Sequence, residues 1–458
     1  MRTFDLVIIG TGSANSIVNE RFADWNVAFV EAGKFGGTCL NMGCIPTKMF
    51  VHTAEVAYTP SEAARLGVDE TFNAVDWPAV RDRIFGRIDP IEAGGREWRA
   101  TNSPNQTVFA GEGRFTGPKQ LTVTVDSVEE TITAPKFVIA AGGRPQLLEV
   151  EGLAELPGVY TSDTVMRIDE LPSRMVIVGA GFIAAEFAHV FSSFGVEVTV
   201  LCRSEAMLRA QDDDVSARFT ELAQERWDVR LNTQISKAEQ IDDGIRLHTT
   251  SGAIDTELVL VAIGRVPNTD RLNPEATGVE LHPDGRIKVD EHQRTNVEGI
   301  FALGDISSDY QLKHVANHEA RVVHHNLLHP DSPKASDHRF VPEAVFTHPQ
   351  VAKVGLTERE ARERGINFIT ATQDYADIAY GWAMEDTTGF LKLLADPDTG
   401  QLLGAHIIGP QASTLIQPLI QAMSFGLPAR KMATDQYWIH PAMPELVENA
   451  LLKLDLPH

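Results

Sequence analysis

The chain has 458 residues, room for roughly two to four domains of ~100–200 residues each. With 43% hydrophobic and 22% charged residues, it has the make-up of a globular protein rather than a disordered one. Its 40 basic and 63 acidic residues leave a net charge of −23, which argues against general binding to nucleic acid or anionic membranes. Three cysteines cannot build a disulfide scaffold, and no apolar run approaches the ~20 residues of a membrane span. Acidic Asp5 inside the first apolar strand argues against a signal peptide, so the expected location is the cytosol.

Two segments about 170 residues apart follow one plan. The first runs from the apolar Leu6–Ile9 through Gly10-Thr11-Gly12-Ser13-Ala14-Asn15 and an amphipathic stretch to Trp25, then Val27–Val30 and Glu31. The second runs from Met175–Val178 through Gly179-Ala180-Gly181-Phe182-Ile183-Ala184 to Val196–Leu201. Apolar strand, glycine turn, helix and apolar strand make a βαβ unit, and two of them predict an α/β protein with two Rossmann-type domains. Shorter strands are expected at Leu121–Val125, Lys136–Ala140 and Val259–Gly264. The polar, proline-bearing stretch Leu328–Pro333 marks a boundary. Beyond it, strands at Phe390–Leu394 and Gly404–Ile408 and a helical Leu415–Phe425 predict an α+β domain.

Each glycine turn lets backbone N–H groups approach a pyrophosphate at a helix start. At the first, Glu31 stands 21 residues after Gly10, where an acid accepts hydrogen bonds from ribose hydroxyls. Asn15 replaces the usual third small residue, so the helix should sit more loosely on its strand. At the second there is no acid but Arg203, with Arg209 six residues later. Guanidinium groups bind a 2′-phosphate that a carboxylate would repel, so this site should prefer NADPH; the bland alternative is two solvated arginines.

Cys39 and Cys44 lie in Gly36-Gly37-Thr38-Cys39-Leu40-Asn41-Met42-Gly43-Cys44-Ile45-Pro46-Thr47-Lys48. Five residues of regular helix advance ~7.5 Å, beyond the ~7 Å Cα limit of a disulfide, so a bonded pair needs a distorted backbone. Gly43 loosens the chain, and Pro46 suits the first turn of a helix. A reducible disulfide, a metal site and two unpaired apolar cysteines all remain open on these residues alone, although only Cys202 could add a further thiol ligand.

Taken together, these motifs resemble those of the pyridine nucleotide–disulfide oxidoreductases over essentially the whole chain. Gly36–Lys48 is similar to the family's active-site segment, Phe301-Ala302-Leu303-Gly304-Asp305 to its second flavin signature, and Tyr437–Glu445 to its C-terminal acid–base segment. The resemblance implies FAD held by Gly10, Gly12, Ser13, Glu31, Ala32, Gly37, Thr38, Gly113, Ala141, Gly142 and Asp305. It implies NADPH held by Gly179, Gly181, Phe182, Arg203, Arg209 and Gly264, and no metal. It also implies a redox-active Cys39–Cys44 disulfide, with Cys44 facing the flavin, a Lys48–Glu186 ion pair beside it, and His440 oriented by Glu445 as acid–base. Expected domains are 1–143 for FAD, 144–265 for NADPH, 266–333 completing the FAD site, and 334–458 for dimerisation. The active form implied is a two-fold homodimer whose tail supplies its histidine to the partner's cysteines.

Thr11-Gly12-Ser13, Phe85–Pro90, Leu312–Glu319, Tyr380–Asp386 and Leu415–Gly426 resemble the branch that reduces mycothiol disulfide. Glutathione-reducing and dihydrolipoamide-oxidising branches are the alternatives. Glu20 stands where the former place an arginine, and Arg203 where the latter usually carry an acid. Outside disulfide reduction, the readings left are a flavin-binding sensor and a flavin oxidase that bypasses the cysteines.

Overall fold

A computed structural model describes residues 1–456. Two five-stranded parallel sheets form its frame. The first runs in the order 300–302, 136–139, 6–9, 27–31, 106–110, with Leu6 opposite Val27 and Lys136. Leu6, Val7, Ile8 and Ile9 are all buried, as strands covered on both faces must be. The second sheet repeats the arrangement in the order 159–161, 258–261, 174–178, 197–201, 228–230. A short antiparallel ribbon, Gly143–Pro145 against Arg265–Pro267, carries the chain between the two. The tail forms a five-stranded antiparallel sheet, in the order 342–345, 350–355, 402–409, 390–395, 369–374, with helices Gln417–Phe425 and Glu445–Leu452 among those after its last strand.

The first unit departs from its expected plan. No α-helix follows Gly12; the chain makes two short 3-10 turns, Ser13–Ser16 and Glu20–Phe22. A residue far away in sequence holds the chain on this path. Arg99, buried in the helix Trp77–Thr101 and stacked over the Phe29 ring, donates to the Asn15 and Val18 carbonyls and to the Asn15 side chain. A guanidinium thus binds main-chain carbonyls that in a helix would accept from N–H groups one turn later. The second unit does carry its helix, Phe182–Ser193, starting directly after Gly181.

At the cysteine segment the backbone breaks as the spacing requires. A short helix, Gly37–Asn41, ends at Met42, and a new one, Cys44–Ala63, begins after Gly43. A Cβ at Gly43 would press to 3.0 Å from the Thr38 carbonyl oxygen.

Candidate active site

The two cysteines lie where the short first helix gives way to the longer second one. Cys39, Cys44 and Cys202 are free thiols, with Cys44 exposed, Cys39 half-buried and Cys202 buried. The two thiols are electrostatically tied, each being the largest influence on the other's titration through a side-chain hydrogen bond. The interaction with Cys44, and partial burial, push Cys39 well above an ordinary thiol. The same bond, with the nearby Lys48 ammonium, pulls Cys44 down to about 7. Cys202 feels only burial, which pushes it up to about 12.

Lys48 lies one turn along the helix from Cys44 and reaches Glu186 at 2.6 and 2.7 Å. Glu186 is 3% exposed, and its second partner is the Phe346 N–H at 3.0 Å. The ammonium also sits 4.6 Å over the Phe346 ring. A charge so buried is tolerated because both carboxylate oxygens are engaged.

Both cysteines, Lys48, Glu186 and exposed Phe182 line one cavity of about 470 Å³. All the positions expected to hold FAD line it too: Gly10, Gly12, Ser13, Glu31, Ala32, Gly37, Thr38, Gly113, Ala141, Gly142 and Asp305. Gly10 has φ +97°, and a Cβ there would stand 2.2 Å from the Ala140 carbonyl oxygen, so only glycine lets the strands approach. At Gly12 and Gly142 an added Cβ would meet no atom within 4 Å, because it would stand in open space. The Arg265 Nε, buried on the same cavity, has no hydrogen-bond partner among the described residues. A glycine-walled cradle with a spare buried donor fits an anionic dinucleotide.

The Glu31 carboxylate is already engaged. It accepts from the Thr11 N–H and hydroxyl at 2.8 and 2.6 Å and from the Gly33 N–H at 2.9 Å, which fixes the glycine turn. Burial lifts the Asp305 carboxyl above the usual carboxylate range, against the pull of the Arg265 charge. Asp305 is held in place through its neighbour: the Gly304 N–H donates to buried Glu319 at 2.7 Å.

Two cavity residues reach partners that no local pattern shows. Lys313 donates to the Ser13 hydroxyl at 2.9 Å from 300 residues away, bringing a cation to the turn that lacks a helix. Arg265 pairs with Asp163 at 2.9 Å and donates to the Gly143 carbonyl at 2.7 Å. Lys313 lies in the quoted Leu312–Glu319 run, yet its partner was not legible there.

The remaining expected residues stand outside this cavity. Gly179 and Gly264 sit in the second glycine turn and its neighbouring loop, and Gly181 is exposed, with nothing within 4 Å of an added Cβ. Arg203 and Arg209 are exposed, and neither makes an ion pair among the described residues. His440 is exposed, with Nδ1 2.5 Å from Glu445 Oε1, and it does not line the cavity of its own chain. Phe425, Tyr437 and Ile439, in the same C-terminal region, are exposed apolar side chains. Among the described residues, no His, Cys, Asp and Glu group of three or more is placed to hold a metal. No helix there is long and apolar enough to cross a membrane.

Comparison with known proteins gives this geometry a lineage. The family model described as pyridine nucleotide-disulphide oxidoreductase matches residues 4–320, and that family's dimerisation domain matches residues 341–451. The chain is 54% identical to a Mycobacterium tuberculosis protein named mycothione reductase, covering 99% of this chain and 100% of the relative. It is 31% identical to a dihydrolipoyl dehydrogenase of Chlamydia muridarum, covering 99% and 97%. The Cu(II) complex of RclA, an HOCl-induced flavoprotein disulfide reductase from Escherichia coli, superposes with a TM-score of 0.89 at 29% identity, covering 99% of this chain and 100% of that one. Such enzymes use FAD and NAD(P)H, the two dinucleotides for which the paired βαβ units make room. With both family models matched and full-length relatives on every side, the chain belongs to the pyridine nucleotide-disulphide oxidoreductases.

Proposed function

We propose that this enzyme reduces mycothiol disulfide with NADPH, through FAD and a Cys39–Cys44 redox pair. The contact between the two sulfurs, on the cavity with the dinucleotide cradle, carries the reading. The 54% full-length identity to a mycothione reductase supports the substrate, and the solvent-facing Arg203 and Arg209 support NADPH over NADH. On this reading the chain divides at 143, 265 and 333, the first two on the ribbon between the sheets. A redox thiol pair suits a reducing compartment, so the proposed location is the cytoplasm.

The reaction consumes one disulfide, one NADPH and one proton and yields two thiols and NADP⁺. FAD in the first cradle supplies a two-electron carrier between nicotinamide and cysteines. In the reduced pair the proton rests on Cys39 and the negative charge on Cys44, next to Lys48. Removing the Cys39 proton makes that sulfur the nucleophile; it attacks the substrate disulfide, and one thiolate leaves. His440 fits the role of base and then acid: with Nδ1 donating to Glu445, Nε2 is free to take the Cys39 proton and return it to the leaving thiol. Cys44 then attacks Cys39, restoring the disulfide and releasing the second product as a thiolate, which takes up the one proton the reaction draws from solution. Because His440 lies off its own chain's cavity, it serves the cysteines of a second copy in a two-fold homodimer, with exposed Phe425, Tyr437 and Ile439 covered between them.

The test is NADPH oxidation by the purified flavoprotein with mycothiol disulfide, glutathione disulfide and lipoamide side by side. Strong preference for mycothiol disulfide with NADPH is expected. Turnover of lipoamide with NADH would overturn both the substrate and the cofactor reading.

A further inference from the structure

The segment that carries Arg209 is held from outside its own domain. Leu208 has a left-handed backbone (φ +52°), and its N–H donates to the Ala180 carbonyl at 2.8 Å, pinning the segment to the second glycine turn. On its other side the C-terminal domain takes over. The Arg209 carbonyl accepts from Arg359 at 3.2 Å, and the Ala210 carbonyl accepts from Lys353 Nζ at 2.6 Å. Arg359 also pairs with Asp213. Asp212, fully buried, caps the helix Asp213–Arg226 and accepts from Lys392 Nζ at 2.9 Å and from the Glu358 N–H at 3.0 Å. Lys392, 5% exposed, also reaches Asp214 at 2.6 Å and Glu358 at 2.7 Å.

Exposed ion pairs add little stability, and a buried one is weak evidence of it; fixing geometry is the better-attested use. Here two of the cations bind main-chain carbonyls, which sets the path of the backbone whatever side chains it bears. Arg209 itself projects into solvent at the end of that path, without a carboxylate partner among the described residues.

We propose that Lys353 and Arg359 are positioning residues for 2′-phosphate recognition: they hold the Arg209–Ala210 backbone against the glycine turn so that the Arg209 guanidinium meets the adenosine ribose. The dimerisation domain thereby takes part in choosing the nicotinamide nucleotide. This inference rests on the NADPH reading above.

The experiment measures binding of adenosine 2′,5′-bisphosphate and of 5′-AMP to the holoenzyme by calorimetry, with KM for NADPH and NADH alongside. Arg359→Ala combined with Lys353→Ala should weaken the bisphosphate about five- to tenfold, the scale of one misdirected charge-assisted hydrogen bond. Binding of 5′-AMP, KM for NADH and kcat should stay unchanged. Arg359→Lys, which keeps the charge beside Asp213 but not the two-pronged geometry, should fall between. Arg209→Ala is the reference. If it loses the bisphosphate selectively while the Arg359 and Lys353 variants weaken neither ligand, or both equally, the positioning role is overturned and the NADPH reading stands. If Arg209→Ala fails to discriminate, the NADPH reading falls and takes the positioning role with it.

Discussion

The two glycine turns follow matching strands yet stand in opposite surroundings. At the first, Gly10 and Thr11 are buried, Glu31 reaches back to clasp the turn, and Lys313 arrives from the far side of the chain. At the second, Gly181 and Phe182 are exposed, no acid ends the following strand, and two arginines face water. One scaffold thus offers an enclosed cradle and an open shelf. The difference matches a cofactor that stays and a co-substrate that must leave each cycle, and it comes from what surrounds each turn rather than from the turn itself.

The largest expected effect lies at neither turn, which separates nucleotide binding from disulfide chemistry. His440→Gln should lower turnover of the disulfide ~10²–10⁴-fold, as loss of a general acid–base does, without changing the flavin content. Steady-state assays with an absorbance spectrum read both. Matched substitutions test the comparison itself. Gly12→Val puts a side chain into the enclosed cradle and should weaken FAD by ~10²-fold, read as a lost 450 nm band. Gly181→Val on the open shelf should leave the flavin bound and only raise KM for NADPH. Equal flavin loss in both would break the distinction. Arg203→Ala with Arg209→Ala should raise KM for NADPH about 10- to 100-fold, the scale of lost charge-assisted bonds to a phosphate, and spare NADH.

The smallest effect is electrostatic. Cys44 is drawn down to about 7 first by the Cys39 hydrogen bond and then by the Lys48 charge. The reactive thiolate is the deprotonated form, so alkylation of the reduced enzyme should rise through pH about 7. Lys48→Ala should move that midpoint upward by about one unit, slowing the reaction at neutral pH. Because the substitution also leaves the Glu186 carboxylate buried without its cation, Lys48→Arg serves as the companion that keeps the charge.

Much of this was written locally in the sequence. Continuous apolar runs gave the parallel strands, and the interruption at Gly43 followed from the reach of a disulfide. The missing helix after Gly12 was not legible. The local spacing does not announce it, and the guanidinium that binds Asn15 comes from 84 positions away. Lys313 beside Ser13, Arg265 on Asp163 and Glu319 under Gly304 were hidden for the same reason: each meets its partner only through the folded topology. The strap on Arg209 likewise needs Lys353 and Arg359, about 150 residues away. Periodicity and spacing report short-range physics, whereas side-chain partners across domains are set by topology.

The central claim is that Cys39 and Cys44 exchange electrons with NADPH while Cys202 does not. Oxidised enzyme, reduced anaerobically with excess NADPH and then alkylated under mild conditions, should gain two labelled thiols per subunit, mapped by mass spectrometry to Cys39 and Cys44. Cys202, buried and with its thiol pushed up to about 12, should stay unlabelled until the protein is unfolded. Flavin reduction without new thiols, or labelling that does not depend on NADPH, would contradict the account.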